Sequence, residues 1–273
     1  MIFLLFAWLI VCPSPQTDIY HVIHVRGIIL NQTKNDTLSV GDKLNPSDKL
    51  LFRTPKAMAT VLSPAGGRFT LGLAAARQSS NGEEFMNLLK DVLMGETAVA
   101  KLSTRGLVTD KIVDLKGVFS SDSMVFLGGR SKLILDKSAH PMSHHQYFVY
   151  RYTYNEDKIA QKRIPHRADT LIFDKNILYT HNNHAIAPAG INEVEILKVN
   201  VKDQSSRLMG SFKPIFISDE ELKTELEVIR NVMRSQQLTE EEIIEQMYYH
   251  ILAVYGQTNE NMLRLWLSEH LKM

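Results

Sequence analysis

A single cysteine, Cys12, occurs in the 273 residues, so no disulfide can close within the chain. Excess charge of either sign is lacking too. The 31 Lys and Arg stand against 30 Asp and Glu, which leaves no global electrostatic ground for a nucleic-acid partner or an acidic membrane surface. Short basic doublets such as Lys162-Arg163 mark a solvated strand edge. The chain also lacks a GxSxG elbow, a Walker loop and a GxGxxG following a strand, and with them the common signatures of acyl transfer and of nucleotide binding. No internal repeat or low-complexity segment stands out. What remains is ordinary globular material, 44% hydrophobic and 22% charged, which excludes a disordered chain and suffices for one large domain or two modest ones.

Residues 1–12, MIFLLFAWLIVC, are continuously apolar and run into Pro13-Ser14-Pro15. As a helix at ~1.5 Å per residue they would span about 18 Å, short of the roughly 30 Å of a bilayer core. Length and position fit the apolar region of a secretory signal peptide, and a leader is expected over 1–17. It lacks a preceding Lys or Arg and a small-x-small cleavage site. Cys12 at its end is a candidate lipidation site, although Val11 and Pro13 depart from the usual flanks. Membrane association is expected only through this leader or a lipid anchor.

Residues 18–75 read as an antiparallel β-module. Residues 19–30, IYHVIHVRGIIL, are rich in β-branched and aromatic residues and predict one strand. Short alternating runs follow at 37–44, 49–54, 57–63 and 68–73, parted by turn residues; the alternation of Leu38, Val40, Met58 and Thr60 against Ala57, Ala59 and Val61 suits one buried face and one wet one. The pattern Val25-x-Gly27-x-Ile29, Leu38-x-x-Gly41-Asp42-x-Leu44, Asp48-x-Leu50-x-Phe52, Ala57-x-Ala59-x-Val61 and Gly67-Arg68-Phe69-x-Leu71 resembles the FecR-like β-module of bacterial envelope proteins. The layout as a whole is similar to small exported proteins of Bacteroidota. The resemblance implies an envelope or surface protein and implies no reaction; the sigma-factor regulation of FecR regulators is not expected.

A connector is expected over 76–123, with an amphipathic helix in EEFMNLLKDVLM (83–94) whose Phe85, Leu88, Leu89 and Val92 fall at i, i+3, i+4, i+7. Strand-like runs return over 124–216 in a second β-rich module, with Gly128-Gly129 as a hairpin turn. In QYFVYRYTY (146–154) the residues Phe148, Tyr150, Tyr152 and Tyr154 share a face. Such a row is either a core face or a stacking platform. A helical region closes the chain over 217–273. Ser218-x-x-Glu221 and Thr239-x-x-Glu242 read as capping boxes, and a third helix from about Asn259 carries Met262, Leu263, Trp266 and Leu267 on one side. The fold class is α+β.

No catalytic, cofactor or metal site emerges. The ten histidines include His181-Asn-Asn-His184 and His140 with His144-His145, but HxxH in a loop, without a cysteine or an HExxH helix, is better read as solvated histidine than as a zinc site. Asp-Ser/Thr-apolar tripeptides at Thr37, Ser123 and Thr170 resemble the O-glycosylation acceptor of exported Bacteroidota proteins, and Asn31-Gln-Thr33 and Asn35-Asp-Thr37 match the N-glycosylation sequon; all read as surface-loop indicators. The expectation is a non-catalytic, exported protein of the periplasm or outer membrane, an adaptor or assembly component that binds an envelope protein or cell-wall material. Its candidate contact surfaces are exposed edge strands of the first module, the Tyr150, Tyr152 and Tyr154 face, and the Trp266 helix. Alternatives are a hydrolase of cell-wall glycan or peptide, marked by perturbed groups in one cleft, and a small-ligand receptor, marked by tyrosines lining a pocket.

Overall fold

The computed structural model describes residues 19–63, 65, 67–72, 83–89, 111–155, 157–181 and 184–273. The leader and Cys12 lie outside them, as does most of the connector. The fold is mixed α+β, and the chain divides into two units, Met1–Ala98 and Val99–Met273.

In the first unit the expected single strand over 19–30 is two. β1 (Tyr20–Arg26) and β2 (Ile29–Asn31) belong to different sheets because the chain breaks at Gly27. Its φ is +76°, and a Cβ there would overlap the Thr54 hydroxyl, so glycine is required. β3 (Asp36–Thr37), β4 (Lys43–Leu44), β5 (Lys49–Phe52), β6 (Met58–Leu62), β7 (Arg68–Gly72) and β8 (Glu83–Glu84) complete the unit. They form two antiparallel four-stranded sheets, β4-β1-β6-β7 and β3-β2-β5-β8. The core holds Val22, Ile29, Leu44, Leu50, Ala59, Val61 and Leu71, with the Tyr20 and Phe85 rings edge to face at 4.8 Å. Residues 85–89 are helical, and Phe85, Leu88 and Leu89 lie in this same core, so the start of the expected connector helix packs as part of the first unit. Thr60 is not on a wet face; it is fully buried, its hydroxyl 3.4 Å from that of Thr70 on β7.

The first helix among the described residues of the second unit is the short α1 (Leu115–Val118). The sheets are built from β9 (Ser123–Leu127), β10 (Arg130–Ile134), β11 (Gln146–Tyr154), β12 (Lys158–Arg163), β13 (His166–Arg167) and β14 (Thr170–Asp174). After the one-turn α2 (Lys175–Leu178) come β15 (Thr180–His181), β16 (His184–Ala185), β17 (Val194–Asn200) and β18 (Ser205–Ile217). A five-stranded sheet runs β12-β11-β17-β18-β9 and a three-stranded one β10-β14-β13. β18 is long enough to change partner. Its first half pairs antiparallel with β17 and its last five residues pair parallel with β9.

Gly128-Gly129 is therefore not a hairpin turn. β9 and β10 pair with different neighbours in different sheets, and the glycines turn the corner between them. Gly128 takes φ +75° against the carboxylate of Asp219. β14 stops at Asp174, whose side chain accepts from the Asn176 and Ile177 amides and so caps α2. Between the sheets pack Phe126, Phe173, Phe212 and Phe216, with Phe126 4.8 Å from both Phe173 and Phe216.

Three helices end the chain: α3 (Asp219–Ser235), α4 (Glu240–Val254) and α5 (Glu260–His270). Leu222, Leu226, Ile229 and Met233, at helical spacing on α3, are buried, as are Ile243, Met247 and Ile251 on α4, whereas Val254, next on that side, is half-buried. Thr239 forms a full capping box with Glu242. At Ser218 only half of one forms, the serine side chain accepting from the Glu221 amide, while the Glu221 carboxylate lies 3.1 Å from the Tyr255 hydroxyl. The Val125 amide donates to the Gln257 carbonyl, and the Thr258 hydroxyl to the Val125 carbonyl, so the segment after α4 closes the outer edge of β9. Among the described residues no helix is long and apolar enough to cross a membrane.

Candidate binding site

The aromatic row of β11 divides between core and surface. Tyr150 and Tyr152 are no contact surface: both are buried. The Tyr150 hydroxyl is 2.6 Å from that of Tyr179, and the Tyr152 hydroxyl donates to the Leu178 carbonyl at 2.9 Å. α2 supplies these partners, and a buried phenol needs one. Burial, then the neighbouring phenol of Tyr179, pushes Tyr150 well above its ordinary range; burial, then Tyr154, takes Tyr152 to about 12. Trp266 is also buried rather than offered to a partner. Its indole N–H donates to Asp219 Oδ1 at 2.8 Å, and its ring stacks on His270 at 4.5 Å.

Tyr154, last in the row, comes to the surface and lines a cleft of about 540 Å³ with Lys158, His181, His184, Ile186 and Ile191. Two hairpins bring these side chains together. Tyr154 and Lys158 face each other across the β11–β12 turn, where Asn155 takes φ +47°, and His181 and His184 face each other across β15–β16. The Tyr154 and His181 rings are 5.9 Å apart. The second hairpin is anchored by the Ile186 amide, which donates to the Tyr179 carbonyl at 2.7 Å.

From the same corner runs β12, Lys-Ile-Ala-Gln-Lys-Arg, with three cations and no acid. It is an outer strand of the five-stranded sheet. The Ile164 amide donates to the Phe148 carbonyl, so by antiparallel alternation Lys162, Ala160 and Lys158 exchange bonds with β11. The amides and carbonyls of Ile159, Gln161 and Arg163 then point away from the sheet, and no strand among the described residues takes them. Ile159 is 61% exposed.

The remaining candidates scatter. Thr37 is exposed, whereas Ser123 and Thr170 are half-buried within strands, and Thr170 has its hydroxyl turned to Asp169. Asn31 is not in an open loop; its buried amide donates to Asp48 and accepts from the Thr33 and Lys34 amides. His140 is buried against the Val113 carbonyl, apart from the exposed His144 and His145. Among the described residues no three His, Cys, Asp or Glu side chains group as metal ligands.

One polar cluster escaped the sequence reading. Glu225 on α3 and His250 on α4 are buried, with Glu225 Oε2 2.8 Å from His250 Nε2, and the Tyr255 hydroxyl donates to Glu225 Oε1 at 2.8 Å. Burial, reinforced by Glu225, drives the Tyr255 phenol far upward. The available signal was Glu225 itself, one residue before Leu226 on the apolar side of α3. The groups pushed furthest, Tyr150, Tyr179 and Tyr255, do not line the cleft. Compared with known proteins, the chain matches no family model, no curated protein and no solved structure.

Proposed function

We propose that this is a non-catalytic, exported protein of the bacterial cell envelope, an adaptor or assembly component that carries a FecR-like N-terminal module and binds another protein by accepting a strand on β12. The observation that carries the reading is the open β12 edge, with outward amides and carbonyls at three alternate residues beside an exposed isoleucine. Main-chain bonds along such an edge give affinity to an extended partner, and the side-chain pockets give selectivity. Lysines along an edge also deter indiscriminate pairing, so Lys158 and Lys162 favour a partner strand bearing acids. In the first unit, the left-handed Gly27 and Gly41 and the buried Ala57, Ala59 and Val61 occupy positions of the FecR-like pattern, in support of that module.

Gln161→Pro tests it. The Gln161 amide points outward, so proline removes a donor the fold does not use. A photo-crosslinker at Ile159 in the full chain, expressed in a related host, is expected to give one envelope-fraction adduct that disappears in the Gln161→Pro background while circular dichroism is unchanged. An adduct indifferent to proline, or an unprocessed chain in the cytosol, overturns the reading.

A further inference from the structure

We infer that the cleft at the Tyr154 corner is a binding site for an organic anion, an oxyanion carried on a small apolar body. Its volume, about 540 Å³, lies in the range of small-molecule sites. Three of its side chains, Lys158, His181 and His184, can carry positive charge or donate a hydrogen bond, and among the described residues no Asp or Glu lines it. None of the three has a carboxylate partner among the described residues. Several other cations of this unit do meet a carboxylate, among them Arg151 with Glu195, Lys111 with Asp169, Lys132 with Glu269, and Arg264 with Glu241 and Glu260. Unmatched donors collected in one concavity are what an oxyanion needs, since charge-assisted hydrogen bonds are the stronger kind.

The rest of the cleft sets the body of the ligand. Ile186 and the buried Ile191 make an apolar wall, and Tyr154 offers a ring beside His181. A lysine ammonium among the donors disfavours a metal cation. Both hairpins are pinned to the tyrosine core, one through Tyr152 and the other through Ile186, so the backbone that carries the donors is held before the ligand arrives, which reduces the ordering cost of binding. The inference does not rest on strand addition, because the outward groups of Ile159, Gln161 and Arg163 lie along the edge and not in the cleft.

The test uses the full chain with isotope-labelled histidine. The His181 and His184 ring resonances, assigned with His181→Asn and His184→Asn, are followed during titration with 4-phenylbutyrate, phenyl phosphate and the neutral 4-phenylbutan-1-ol. Saturable shifts are expected with one or both anions and not with the alcohol. Lys158→Met should weaken the binding by about tenfold, the scale of one charge-assisted bond, with near-ultraviolet circular dichroism unchanged. Gln161→Pro should leave it intact, which separates a failure of this site from a failure of the strand-edge reading. Equal binding of the alcohol, no saturation with either anion up to ~10 mM (an affinity of under about 3 kcal/mol), or an anion affinity indifferent to Lys158→Met overturns the assignment.

Discussion

Replacing Glu225 by alanine is expected to destabilise the second unit by about 3–5 kcal/mol, the scale for removing one partner of a buried, hydrogen-bonded acid–base pair. The magnitude follows from what the carboxylate holds. Glu225 is 2% exposed and His250 0%; one carboxylate oxygen faces His250 Nε2 and the other accepts from the Tyr255 hydroxyl, each at 2.8 Å. Truncation strips the carboxylate from His250 Nε2, which water does not reach, at about 1–3 kcal/mol, and removes one of the two carboxylates near the half-buried Tyr255 hydroxyl. Glu227→Ala is the control. Its carboxylate meets Lys223 at 3.9 Å with both side chains about half exposed, so under about 0.5 kcal/mol is expected. Trp266 is the only tryptophan outside the first twelve residues and sits in the helical layer, so urea unfolding followed by its fluorescence reads this unit. For a unit of this size the thermal midpoint should fall by about 6–20 °C. The Leu/Leu double replacement at Glu225 and His250 is expected to recover most of the loss, as buried pairs replaced whole often do. A Glu225→Ala variant within about 1 kcal/mol of the parent, or no worse than Glu227→Ala, would refute the claim that this cluster ties α3 to α4.

Two further outcomes are expected. Gly128→Ala should cost about 2 kcal/mol or more, since φ +75° strains an L-residue and the new methyl meets the Asp219 carboxylate. Gly129→Ala, whose nearest contact is at 3.9 Å, should stay within about 0.5 kcal/mol; equal costs in denaturant melts would contradict the corner geometry. Alkali should unfold the second unit cooperatively. Tyr150, Tyr152, Tyr179 and Tyr255 all have folded pKa values raised above the unfolded value of about 10. The stability they contribute is thus complete below pH ~10 and lost as pH rises from there through the folded values. Their phenolate absorbance should appear together with loss of near-ultraviolet dichroism, and phenolate forming at pH 10 in a folded chain would count against their burial.

Helix faces and caps were legible because they are written locally: Thr239 with Glu242, Asn259 at the head of α5, Leu222 through Met233 at helical spacing. Most strand cores were legible by alternation. Sheet membership was not. Gly27 and Gly128 both read as punctuation, yet whether a glycine ends a hairpin or sends the chain into another sheet depends on distant partners, Thr54 and Asp219. The tyrosine row shows the same limit, since its alternation is fixed locally while its burial depends on α2, a turn set by the Asp174 cap. Of the site, Tyr154, His181 and His184 were visible as residue types, and the Lys162-Arg163 doublet as a strand edge. Their meeting with Lys158 comes from two hairpins packing side by side, which no local spacing encodes.

The partner change along β18 also constrains when the unit can form. Ser123 pairs with Lys213, roughly 90 residues later, so on a ribosome moving at about 5–20 residues per second β9 waits on the order of 5–20 s for its neighbour. Its other edge waits longer still, for Gln257 and Thr258. Met124, Val125, Phe126 and Leu127, each at most 1% exposed in the finished fold, spend that interval as an apolar strand with both edges open. Nascent chains truncated between β9 and β18 should be the forms of this protein most dependent on a holding chaperone.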